Sequence, residues 1–354
     1  MDDDTKSLTQ QGEPQRDAGG WLLLEHYAAL GDGRSVALVG LDGSIDWWCV
    51  PHMDSPPLFD RLLAPTTGGH FAITPSQPYV AERRYRPGSN VLETDYITSS
   101  GRARLTESLN SGPAGRLPWA ELARRIEGIE GSVAFHVAID FGTQADTVSP
   151  YLSPNDNGCV FHAGHILGMF LHDDRVDVQR KDDLGVRGTV EITAGQRTVL
   201  GLIAGYDEPL VVPALSLVDA RIDGSDREWR QWSQGLDYQG PYEAVVVRNA
   251  LALKLLLSSP SGSIMAAATT SLPERIGGLN NYDYRFPWLR DAGYTIQASL
   301  GIGAQPEANA AYTWLLRRLA EHGARAFYKP HGPARYGIRP LDLPGYQPHP
   351  QSLA

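Results

Sequence analysis

From Trp21 to about Thr198 the apolar residues come in short runs, each broken after a few positions by Gly, Asn or Asp. "SVALVGLDGSIDWWCV" sets Asp42-Gly43 between two β-prone runs, the signal of a tight hairpin. "NVLETDYITSSGRARLTESL" repeats the pattern around Ser100-Gly101. "GSVAFHVAIDFG", "CVFHAGHILGMFLHD" and "GTVEITAGQRTVLGLIAG" follow, with the same punctuation. Many short strands joined by frequent turns predict an antiparallel β-sandwich over residues 21–220. Residues 1–20 are polar, acidic and aperiodic, and read as a disordered tail.

The period changes after Pro213. "SDREWRQWSQ" shows no strand alternation and offers Ser225 as an N-cap, so a linker helix is expected within residues 221–240. "PYEAVVVRNALALKLLLSSP" places Val246, Ala250, Leu253 and Leu257 at helical spacing, and its other faces are apolar too, so this helix is expected to be buried. "QPEANAAYTWLLRRLAEHG" predicts a further helix stopped by Gly323. The remainder is proline-rich and has no helical period. Three or four helices are few for a closed helical domain, so the chain is expected to carry only the opening part of one.

Composition narrows the function. The chain has 354 residues and a formal net charge of −10, which argues against a nucleic-acid partner, whose phosphates need a basic face. No apolar run reaches the length of a membrane span, and the amino terminus lacks the basic and apolar regions of a signal peptide. Two cysteines, Cys49 and Cys159, cannot staple a fold of this size, so a reduced, cytoplasmic setting is expected. The histidines and cysteines show no metal-ligand spacing, the glycines of "GDGRSVALVG" precede a strand rather than open a helix, and no serine sits in a nucleophile elbow. No cofactor and no metal are expected.

The chemically dense stretch is "NYDYRFPWLRDAGYTI", residues 281–296, which crowds aromatic rings, arginines and acids together. A pyranose has apolar C–H faces that stack on rings and hydroxyls that donate and accept hydrogen bonds. Arg supplies a rigid fork of donors and Asp two acceptor oxygens. Tyr284, Trp288, Arg290 and Asp291 offer that combination after a turn-rich loop, "TTSLPERIGGLNN". The bland alternative is an ion pair at a helix end, with Asp291 near the positive end of the dipole.

In sequence this stretch resembles the signature of glycoside hydrolase family 15, the glucoamylase, glucodextranase and trehalase-like enzymes, across Gly277 to Ala292. "EHYAALGDGRSVALVGLDGSIDWWCVPHMDSPPLFDRLL", "RRYRPGSNVLETDY", "RNALALKLL" and "AAATTSLPERIGG" are similar to further family blocks, in order, over about residues 21–346. The resemblance implies an N-terminal β-sandwich at 21–220, a linker at 221–240, and the start of an (α/α)6 barrel at 241–354. It implies that Tyr284 and Trp288 wall a terminal glucose while Arg290 and Asp291 bind its outer hydroxyls. Asn280, Tyr282, Pro287, His52 and Met53 depart from the family pattern; Asp54 keeps it.

The family's reaction is inverting hydrolysis of α-linked glucosides, with an acid and a base roughly 6.5–9.5 Å apart. The resemblance puts both catalytic glutamates beyond the segment Leu343-Pro344-Gly345-Tyr346, and no matching segment precedes Ala354. The catalytic residues are therefore unassigned and the chain is expected to be an incomplete form. Glu274, Asp283 and Glu307 lie nearest the expected subsite, but a loop cap, an ion pair with Arg275 or Arg285, and a solvated helix start account for them. The alternative is a non-catalytic remnant that binds carbohydrate or a partner protein. Starch-like, isomaltose-type and trehalose linkages, and the oligomeric state, stay open.

Overall fold

The structure is a computed structural model and describes residues 10–111, 117–142, 152–155, 158–182, 185–206, 209–270 and 282–330. Sixteen strands lie in the described part. They are β1 (Gln10–Gly12), β2 (Tyr27–Gly31), β3 (Val36–Gly40), β4 (Ser44–Cys49), β5 (Pro57–Phe59), β6 (His70–Pro75), β7 (Tyr79–Tyr85) and β8 (Leu92–Thr98), then β9 (Gly101–Leu109), β10 (Ala120–Asp140), β11 (Leu152–Asn155), β12 (Gly158–Ala163), β13 (Ile166–Leu171), β14 (Asp177–Arg180), β15 (Gly185–Thr193) and β16 (Arg197–Tyr206). All pairings are antiparallel. The hairpins expected at Asp42-Gly43 and Ser100-Gly101 are those joining β3 to β4 and β8 to β9.

One strand makes the sheet into two layers. The first half of β10 pairs with β9 and β16, and its second half with β6 and β15. The crossing falls at a bulge between Gly128 and Glu130, followed by Gly131 at φ 59°. A Cβ at Gly128 would lie 2.1 Å from the Thr193 carbonyl oxygen, and one at Gly131 2.2 Å from that of Ser100, so only glycine lets the strand bend there. The layers then face each other. Phe71 of β6 meets Phe170 of β13 edge-on at 5.7 Å, and Tyr96 of β8 meets Phe135 of β10 at 5.9 Å. Arg124 is fully buried between them; it donates to Glu107 at 2.8 Å and to the carbonyls of Phe71 and Gly43 at 2.7 and 2.6 Å. Cys49 and Cys159 are buried and unpaired.

Four helices follow: α1 (Leu215–Gln234), α2 (Glu243–Leu255), α3 (Leu289–Gly301) and α4 (Gln305–His322). Helix α1 starts at Leu215, not at Ser225. Ala214 is extended just before that start, and Val218 and Ile222 lie one turn apart against Val91, Ala123, Met169, Val199 and Ile203 of the β layers. Leu215, Val218 and Ile222 stand at i, i+3 and i+7, a helical spacing, and packing on the β layers stabilises it. Ser225 sits inside it, where its hydroxyl accepts from the Ser111 backbone N–H at 3.0 Å.

The tail expected at residues 1–20 is structured from Gln10. Strand β1 pairs with β7, and Arg16 donates to the buried Asp46 at 2.7 Å and to Asp42 at 2.8 Å. Residues 1–9 lie outside the described part, as does the proline-rich segment after residue 330. Helix α2 buries Ala250, Leu251 and Leu255, while its first turns are exposed and Val246 and Leu253 are only half-buried. Leu257, expected on the same face, lies past the helix end in a bridge to Ile264. Among the described residues no helix is long and apolar enough to cross a membrane.

Candidate functional site

Residues 282–288 run as an irregular segment, bent at Phe286, between two others. On one side the backbone N–H groups of Ala266 and Ala267 donate to the carbonyls of Phe286 and Tyr284 at 3.1 and 3.0 Å, and Thr270 bridges Asp283. On the other, Tyr328 donates to Pro287 and Leu289 to Ala326, both at 2.9 Å, with Trp288 bridging Phe327. Pro287 is compatible with this because only its carbonyl is used. The segment ends by turning into α3, with Trp288 as an extended residue at the N-cap position. Helix α4 returns antiparallel beside α3 after the short Ile302–Ala304 turn and stops at Gly323, φ 68°.

Phe286 and Trp288 both meet Phe327, at centroid distances of 6.0 and 5.3 Å, and Tyr284 meets Tyr282 edge-on at 6.4 Å. Arg290 and Asp291 lie on the first turn of α3. Their side chains are 70% and 36% exposed and the Arg290 Nε to Asp291 Oδ1 distance is 3.3 Å. A surface pair of that kind is worth about 0–1 kcal/mol, so separating it to bind a hydroxyl costs little. The Arg290 guanidinium also lies 5.8 Å from the Trp288 ring centroid. The indole Nε1 of Trp288 is buried and has no acceptor among the described residues. A buried donor left unpaired costs about 1–3 kcal/mol, which an arriving acceptor recovers. The structure thus brings Trp288, Arg290 and Asp291 together at one helix start, with Tyr284 four residues earlier on the preceding segment.

Arg285, with Asp283 paired to it, faces the β layers. Asp283 accepts from Arg285 Nε at 3.0 Å and Nη2 at 2.9 Å, the ion pair anticipated for it. Arg285 Nη1 reaches Cys49 Sγ at 3.2 Å and the carbonyls of Met53 and Ser55 at 3.1 and 2.5 Å. Burial opposes the Arg285 charge, but Cys49 and Asp283 more than compensate and its pKa is raised. Burial pushes the Cys49 thiol up to about 11 despite the adjacent guanidinium, so it stays protonated at neutral pH. Trp47 Nε1 donates to the Ala268 carbonyl at 2.9 Å, a second tie from β4 to this region.

Glu307 is not a solvated helix start. It accepts from Lys254 at 2.5 Å and from Trp232 Nε1 at 2.8 Å, joining α1, α2 and α4. Burial works to raise its pKa, but Lys254 outweighs that and holds it below the ordinary carboxylate value. Glu274 and Asn280 lie outside the described residues. The joint made by Arg285 with β4 and the 53–55 loop had no signal in the sequence beyond the local Asp283 pairing, because its partners are more than two hundred positions away.

Comparison with known proteins gives two family matches. Residues 240–346 match the model of glycosyl hydrolases family 15, and residues 21–200 match the trehalase-like N-terminal model. A trehalase of Thermoplasma volcanium is 31% identical over 300 residues, covering 82% of this chain and 46% of that protein. A trehalase of Thermoplasma acidophilum is 30% identical over 329 residues, covering 88% and 53%. One of Mycolicibacterium smegmatis is 29% identical over 317 residues, covering 82% and 46%. The chain spans about half the length of the curated relatives it matches. Among solved structures, a putative kojibiose phosphorylase from human microbiome aligns at a TM-score of 0.41 and 9% identity, over 77% of this chain and 44% of that one.

Proposed function

The chain belongs to glycosyl hydrolase family 15 and carries its trehalase-like N-terminal domain, and from that premise we propose that it serves the hydrolysis of an α-linked glucoside, with Tyr284, Trp288, Arg290 and Asp291 gripping the terminal glucose ring. The observation that supports this most is the helix start at Trp288: an aromatic face, an exposed Arg fork, a carboxylate and an unpaired indole N–H within one turn. In this reading Trp288 stacks on the C–H face of the sugar. Arg290 donates to hydroxyl oxygens and Asp291 accepts from hydroxyl protons, so each hydroxyl meets a partner of matching polarity. The substrate is a disaccharide or oligosaccharide of glucose, with trehalose first in line from the relatives. The four helices are read as the first of an (α/α)6 barrel.

Cleavage further requires an acid for the leaving oxygen and a base for water. Asp283 is held by Arg285, and Glu307 by Lys254 and Trp232, so neither stands free for proton transfer. We therefore assign the acid and base to carboxylates other than Glu274, Asp283 and Glu307. The engagement of Asp283 and Glu307 also favours the second reading, a carbohydrate-binding chain without turnover. The test is glucose release from trehalose, maltose and isomaltose by residues 1–354, beside the Thermoplasma volcanium trehalase. Saturable binding with turnover lower by about 10²-fold or more fits the assignment. Turnover within about tenfold of the relative overturns it and points back to Glu274, Asp283 and Glu307.

A further inference from the structure

Arg285 is a fully engaged cation at the seam between the β layers and the helical part. It is 8% exposed, and each nitrogen of its guanidinium has an acceptor. Two of the acceptors are the oxygens of Asp283, two residues earlier on the same segment. The others are Cys49, Met53 and Ser55, all on the β side. Its guanidinium carbon also lies 5.8 Å from the ring centroid of Trp47. A buried ion pair gives no stability advantage over apolar residues of the same size. What a planar bidentate fork does supply is a fixed orientation. Between this fork and Trp288 lie only Phe286 and Pro287, both buried, and proline fixes its own φ. Trp47 holds the neighbouring segment at Ala268 as well. A shift at Arg285 is therefore passed to Trp288 through a short and stiff piece of chain.

We propose that Arg285, locked to Asp283, is a positioning residue through which the β layers set the place of the Trp288, Arg290 and Asp291 grip. The proposal rests on the glucoside reading above. It gives the β layers a part in substrate recognition without any contact to the sugar. Misplacement on the order of 1 Å at a reacting site can cost about a hundredfold, so a joint of this kind has a measurable consequence.

The test uses the whole 354-residue chain labelled with 5-fluorotryptophan, with the Trp288 and Trp48 fluorine signals assigned from Trp288→Phe and Trp48→Phe. Trp48 lies in the β core and serves as the internal control. In Arg285→Gln the Trp288 signal is expected to shift or broaden while that of Trp48 holds, and affinity for trehalose or maltose to fall by about tenfold or more. Arg285→Lys keeps the charge but not the fork and is expected to restore little of this. Asp283→Asn should act in the same direction by about threefold. If Arg285→Gln does not fold, the Lys and Asn variants decide. An unmoved Trp288 signal with affinity within about twofold of wild type overturns the proposal alone. A wild-type Trp288 signal that ignores both sugars overturns the glucoside reading instead, and the sugar-free spectra of the variants then decide whether the joint exists.

Discussion

Trp48 in β4 and Tyr312 in α4 are both large rings, yet the first is fully buried and the second is 54% exposed. The contrast holds for the regions around them. The β layers close a continuous core running from Leu30 to Ala204, and Arg124 inside it is paired with Glu107. The helices present Tyr242, Val245, Tyr294, Leu300, Tyr312 and Leu316 to solvent. Their buried clusters are small: Leu257, Ile264 and Ala311 form one, and Trp314, Leu315 and Tyr328 another. The large sealed core thus lies in the β layers, and the proposed sugar site in a region that leans on them. The Arg285 joint and the Trp47 to Ala268 hydrogen bond are among the ties, as is Arg248 of α2, which donates to the Ser89 carbonyl at 2.8 Å and lies over the Tyr85 ring.

The sharpest break of this contrast is inside the β layers. Arg124→Met leaves Glu107 buried and removes the donor to two carbonyls, and is expected to cost about 3–5 kcal/mol by urea unfolding. Adding Glu107→Leu should return most of that loss, because an apolar pair replaces an orphaned charge. A cost below about 1 kcal/mol for the single change would show that the charged pair is not part of a sealed core. At the helical site the expectation is reversed. Trp288→Ala should lower affinity for trehalose or maltose by about tenfold or more while leaving the β-layer unfolding midpoint in place.

A smaller effect comes from the outer face of the β layers. Burial raises the Asp95 carboxyl, but hydrogen bonds from Arg104 and Arg102 outweigh it and hold the pKa at about 2. The unfolded value is about 3.9. Because the folded value is the lower one, the stabilisation is complete above about pH 4 and is lost as pH falls through about 2. The arginines are partly exposed, so the contribution is set at about 1 kcal/mol. Asp95→Asn should flatten that part of the stability profile, measured by thermal unfolding between pH 5 and 2. The smallest effect on stability is expected at the exposed helical faces. Tyr312→Ser and Leu316→Ser should change unfolding by no more than about 0.5 kcal/mol. They should reduce concentration-dependent association seen by sedimentation, since exposed apolar patches drive it.

Much of the β layers could be read from the chain because their signals are local. Asp42-Gly43 and Ser100-Gly101 mark turns by residue type, and alternation marks the strands beside them. Arg124 and Glu107 could not be read that way. Nothing local says that two charges in strands will point inward and meet. The start of α1 carries a local signal too, the i, i+3, i+7 spacing of Leu215, Val218 and Ile222; Ser225 resembles a cap only when that spacing before it is passed over. At the site, residue chemistry and the family pattern single out Trp288, Arg290 and Asp291, and the structure sets them within one turn of a helix start. Arg285 was visible only as a neighbour of Asp283, since its role comes from Cys49, Met53 and Ser55 on a distant part of the chain.

The most direct measurement is a crystal structure of the 354-residue chain soaked with trehalose or maltose. The account predicts a glucose ring stacked on Trp288 at about 4 Å, with Arg290 and Asp291 drawn apart and each within about 3 Å of a sugar hydroxyl. A sugar bound elsewhere, or an intact Arg290–Asp291 pair beside an empty Trp288 at saturating sugar, would contradict it.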